Sequence, residues 1–180
     1  MKRYSATILL ALFCLGMVSG CARKEPEDTG STGGNVLAGQ TLTEIVDAIY
    51  EKHPVELPVG TIPVDLADEY AVNSYLGLSS SANIREAVAS ESMLGAQAYS
   101  LVLCRVAENA DTKAIAQQMH DGIDQRKWVC VVADDLKVSA WGDLILLVMI
   151  SSDYSQSGTA ETLTNALVQL CGREPDVQIG

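Results

Sequence analysis

The sequence predicts an α+β domain: a two-layer, four-stranded, mainly antiparallel sheet with helices, in the order α-α-β-β-α-β-β-α. Three observations predict it. Apolar residues recur at helical spacing in segments that carry capping signals. Two pairs of apolar segments have the length and composition of strands. Gly142-Asp143 separates the second pair as a two-residue hairpin turn would.

The first helix is predicted over residues 42–52. Thr41 and Glu44 form a capping box, and Leu42, Ile45, Val46 and Ile49 follow on one face. Pro54, Pro58 and Pro63 then argue against regular structure. A second helix is predicted over 66–76, with Asp65 as N-cap and Gly77 as its stop. Residues 84–90 fit a strand or a helix. The next segment, 98–106, needs a partner, which favours the strand. In that segment Tyr99, Leu101 and Leu103 point one way and Val102, Cys104 and Val106 the other. Asp111 caps a third helix carrying Ile115, Met119 and Ile123, and Asp124 restarts a short helical turn through Arg126-Lys127-Trp128. Residues 136–140 and 144–150 form the hairpin, the latter without a polar residue, as in a strand covered on both faces. A last helix over 160–171 ends at Gly172.

The chain has 180 residues, of which 48 % are hydrophobic, enough for one domain with a packed core. It divides into a leader (1–20), a polar segment (21–40) and the domain (41–180). Lys2 and Arg3 precede an uncharged apolar run over 6–18, shorter than the ~20 residues of a membrane-spanning helix. This is the signal-peptide pattern. Its end, Val18-Ser19-Gly20-Cys21, resembles the lipobox of bacterial lipoproteins. The resemblance implies cleavage before Cys21 and diacylglycerol on its thiol, and so a protein held on the extracytoplasmic face of the cell membrane. Residues 22–40 are polar and Gly-rich, the composition of a flexible tether.

Beyond the leader, 10 basic residues face 23 acidic ones, a net charge of −13. Such a chain is repelled by phosphate backbones, which argues against nucleic-acid binding. Of five cysteines, Cys104, Cys130 and Cys171 belong to the domain. All three stand among apolar residues and read as buried free thiols; one bridge plus one free thiol is the alternative.

Five landmarks run in order through the domain: Glu51-Lys52-His53-Pro54-Val55-Glu56-Leu57-Pro58, Tyr75-Leu76-Gly77-Leu78, Ala87-Val88-Ala89-Ser90-Glu91-Ser92-Met93, Ala98-Tyr99-Ser100-Leu101-Val102-Leu103 and Arg126-Lys127-Trp128-Val129-Cys130. In this order they resemble the domain of unknown function 4358 family, small lipoproteins of Firmicutes and related Gram-positive bacteria. The resemblance implies a lipid anchor and a Gram-positive envelope. It implies no activity.

No motif for catalysis, a cofactor or a metal stands out. His53 and His120 lie far apart in sequence, no serine sits in G-x-S-x-G, and Asp134-Asp135 reads as a solvated turn. The expected site set is therefore lipidation at Cys21, no cofactor, and a candidate partner surface at Arg126, Lys127 and Trp128. Two cations beside a tryptophan suit an interface if exposed; a helix end with a buried tryptophan is the structural alternative. The function expected is non-catalytic binding of an envelope protein partner. The alternative is a small enzyme with a carboxylate-based site, which a pocket of perturbed carboxylates would favour over an apolar patch beside Trp128.

Radiolabelled fatty acid is expected to mark the wild-type chain in its host and not Cys21→Ala. Equal labelling of the two would refute the lipoprotein reading.

Overall fold

The computed structural model describes residues 36–180. The leader predicted over 1–20, Cys21 and the polar segment before Val36 lie outside the described residues. Four helices flank a six-stranded sheet, all of whose pairings are antiparallel. The chain order is α1 (Leu42–Lys52), β1 (Val59–Pro63), α2 (Glu69–Leu76), β2 (Ile84–Ser92), β3 (Tyr99–Val106), α3 (Thr112–Gly122), β4 (Asp135–Trp141), β5 (Leu144–Ile150), a 3-10 segment (Ser152–Ser157), α4 (Ala160–Cys171) and β6 (Val177–Ile179). Across the sheet the strands lie β1-β2-β3-β5-β4-β6.

The four predicted strands form the centre of this sheet, and the correction lies at its margins. Two further strands, β1 and β6, pair on β2 and β4. Pro63 does not prevent β1, because a proline is tolerated where a strand has a free edge. The segment over 84–92 is a strand, paired along β3. The second helix starts at Glu69, with the Asp68 carboxylate accepting from Tyr70 N, rather than after Asp65. No helical turn forms after Asp124.

The layer count also changes. Tyr99, Leu101, Leu103, Leu144, Leu146 and Val148 pack with α1 and α4 in one core. Val102, Cys104, Val106, Ile145, Leu147 and Met149 pack with α2 and α3 in a second. Helices thus cover both faces, and the domain has three layers instead of two. Every residue of β3 and β5 is buried. On the α1 side a hydroxyl network ties helix to sheet: Tyr50 donates to Ser90 Oγ at 2.7 Å and shares a 2.9 Å bond with Tyr99. Burial raises the pKa of both phenols, so they stay protonated.

On the opposite face, the ends of α2 and α3 meet backbone to backbone. Gly77 caps α2 at φ +67°, and a Cβ added at Gly122 would stand 2.1 Å from its carbonyl oxygen. No flexible side chain can yield there. Gly122→Ala is therefore expected to cost about 2–3 kcal/mol, the upper part of the overpacking range. A urea denaturation midpoint equal to wild type would show that the crossing is looser than described.

Candidate functional site

Two regions bring polar and apolar side chains together, at opposite ends of the central strands. The first contains the segment singled out in the sequence. It follows α3 but is not a helix end, since α3 stops at Gly122 and a turn follows at Gln125 and Arg126. The three residues have different surroundings. Arg126 is exposed. Trp128 is half-buried and packs against the α2–α3 core.

Lys127 is committed inside the domain. Its ammonium donates to Glu91 Oε1 at 2.5 Å and to the Ser74 carbonyl at 2.9 Å. It also lies 5.0 Å from the ring centroid of Tyr75 and 5.2 Å from that of Trp128. Ser100 Oγ donates to the same Glu91 oxygen at 2.8 Å. With a side chain 12 % exposed, Lys127 offers little to a partner. Desolvation lowers its pKa, and the facing Glu91 carboxylate opposes that shift. The basic pair thus splits: one cation faces solvent and the other braces α2 against β2.

Besides Arg126, the segment exposes apolar surface. Val129 N donates to the Gly95 carbonyl at 3.1 Å, which fastens this loop to the β2–β3 loop. From the joined loops Met93, Leu94 and Val129 stand 73, 51 and 69 % exposed. Cys130 follows, exposed and at φ +63°. The sequence expectation of three buried thiols is corrected here: Cys104 is buried, Cys171 half-buried and Cys130 open, and all three are free. Burial pushes the Cys104 thiol up to about 12 and Cys171 up to about 11, which leaves both unreactive.

The second region is a cleft of about 670 Å³ at the other end of β3. Val106, Ala110, Ala140 and Val177 contribute its apolar wall, and Arg85, Glu108, Asp111, Lys113, Asp143 and Asp176 its charged side chains. Most of the carboxylates are spent within the domain. Asp143 accepts from Arg85 at 2.8 Å, from Arg105 at 3.3 Å and from Val36 N at 3.1 Å. Asp176 accepts from Arg173 and from Gly142 N, and the guanidinium holds its pKa below the ordinary carboxylate value. Asp111 caps α3 through Ala114 N.

The same end fixes the start of the domain. Buried Arg105 donates to the carbonyls of Val36 and Leu37 and faces Glu86. The last residues of the Gly-rich segment are thus clasped to the sheet before α1 begins.

Asp134 and Asp135 act as local caps, accepting from Ser152 and from Ala160 N. Among the described residues, no three His, Cys, Asp or Glu side chains are placed to hold a metal ion. None of the described helices is long and apolar enough to cross a membrane. Comparison with family models, curated proteins and solved structures finds no match for the chain.

Sequence reasoning found the loop by its composition but missed the carboxylate that claims its lysine, because Glu91 is 36 positions away. It missed the cleft entirely. Arg85, Lys113, Asp143 and Asp176 come from four separated stretches and form no local pattern.

Replacing Lys127 by Ala strands the Glu91 carboxylate and is expected to cost about 2–3 kcal/mol. Arg126→Ala should stay within about 0.5 kcal/mol of wild type. A double-mutant cycle with Glu91→Ala, read by urea denaturation, should give a coupling above about 1 kcal/mol. Additive losses would mean that the two residues act independently.

Proposed function

We propose that this chain is a lipid-anchored, non-catalytic binding domain on the extracytoplasmic face of the cell membrane. Its partner is another envelope protein, held by the loop surface of Met93, Leu94, Trp128 and Val129. The observation that carries this reading is the concentration of three large exposed apolar side chains on two loops fastened to each other by a backbone hydrogen bond. Such side chains, beside a half-buried tryptophan, suit the core of an interface.

The direction of the surface supports a protein partner over the bilayer. Val36, where the tether joins the domain, sits beside Arg105 and Asp143 at one end of β3. The loops lie before Tyr99 at the other end, about 25 Å away along an eight-residue strand. A tether pulling that end toward the membrane leaves the loops facing outward. The net charge of −13 also disfavours an anionic headgroup layer. The anchor, the Gram-positive envelope and membership in the domain of unknown function 4358 family rest on the residues quoted for them in the sequence.

The cleft motivates a second reading, a small enzyme using carboxylates. Against it, Asp143 and Asp176 are occupied by arginines, and the lowered pKa of Asp176 is the reverse of what a general acid requires.

The test is photocrosslinking in native envelopes, with a photoreactive residue at Met93 or Val129 and a control at exposed Gln118 on α3. Discrete protein adducts at the two loop positions, absent at Gln118, are expected. Leu94→Asp should abolish them while leaving the melting temperature unchanged. Adducts to lipid alone, or the same adducts from all three positions, would overturn the proposal.

A further inference from the structure

We infer that the cleft between β2, α3 and β6 is a binding site for a short apolar peptide, held by its charged ends. The argument rests on which charged groups of the wall remain uncommitted. Asp111, Asp143 and Asp176 are each occupied by backbone N–H groups or arginines. Three side chains of the wall are not so consumed. Lys113 and Glu108 are exposed and have no hydrogen bond or ion pair within the described domain. Arg85 gives one nitrogen to Asp143 and keeps its remaining N–H donors, with a side chain 39 % exposed.

The backbone aims Arg85 deliberately. The register of β2 on β3 slips between Ile84, opposite Val106, and Glu86, opposite Arg105, so Arg85 is the extra residue of a bulge. A bulge turns a side chain away from the regular alternation of the strand. Here it delivers a guanidinium to the cleft, and Asp143 fixes it there. A guanidinium restrained in this way with free N–H groups matches a carboxylate. Lys113 adds a second cation on the α3 side, and Glu108 in the intervening loop offers an acceptor for an ammonium. Between them the wall is apolar, through Val106, Ala140 and Val177. The volume, about 670 Å³, lies within the range of small-molecule sites and exceeds what a single amino acid fills. A dipeptide with free ends satisfies all three charges and the apolar wall together.

Isothermal titration of the full chain with L-alanyl-L-phenylalanine tests this independently of the loop surface. Binding at millimolar concentration or below is expected. The C-terminal amide should bind about tenfold more weakly, having lost the charge that Arg85 and Lys113 receive. The N-acetyl derivative should lose about threefold. Lys113→Gln, an exposed change that leaves folding intact, should weaken the free dipeptide about fivefold, and Arg85→Gln at least as much. Should Arg85→Gln fail to fold, Lys113→Gln still decides. No heat up to about 10 mM dipeptide, equal binding of acid and amide, or unchanged affinity in Lys113→Gln would overturn the assignment.

Discussion

Strands β3 and β5 carry apolar side chains on both of their faces, and neither face can be left to water. At roughly 25 cal/mol for each Å² of apolar surface removed from solvent, one exposed face would cost more than the stability of a domain this size. The rest of the architecture follows from covering both. Helices α1 and α4 close one side and α2 and α3 the other. The pair must also be shielded laterally, which β2 and β4 do before the short β1 and β6 end the sheet. Burial on both faces sets a further demand on the polar residues of β3. Ser100 and Arg105 lie inside, so each needs a partner there: Glu91 for Ser100, and Asp143 for Arg105. Those two acids organise the two ends of the molecule.

The legible part of the fold is the part whose signals are local. The Thr41 and Glu44 capping box, Asp111 at the start of α3 and Gly172 after α4 fix helix ends within a few residues. The alternation of Tyr99, Leu101 and Leu103 against Val102 and Cys104 sorts β3 correctly between the two cores. The same observation contained the third layer, since a strand apolar on both sides requires two covers. The edge strands left weaker traces. Val59–Pro63 is interrupted by glycine and bounded by prolines, and β6 has only three residues. Their pairing is dictated by the free edges of β2 and β4, which no local pattern records.

The two candidate regions divide in the same way. Arg126, Lys127 and Trp128 attract notice because they adjoin in sequence. Their roles diverge because a distant carboxylate reaches one and not the other. Met93, Leu94 and Val129 become a surface only when Gly95 and Val129 join their loops. The cleft is further from view: its best-placed cation depends on a one-residue slip in strand register, and two of its acids, Asp143 and Asp176, are paired with arginines from other stretches of the chain.

The clasp at Val36 has a mechanical consequence. Both the N–H and the carbonyl of this residue are held by charged groups, Asp143 and Arg105, and Arg105 belongs to the central strand of the sheet. Tension applied upstream of Val36 would therefore be delivered to a strand paired on both sides, and α1, which begins six residues later, would carry none of it until the clasp opens. The clasp would thus act as a strain relief, passing load applied at Val36 into the sheet before it can pull on α1.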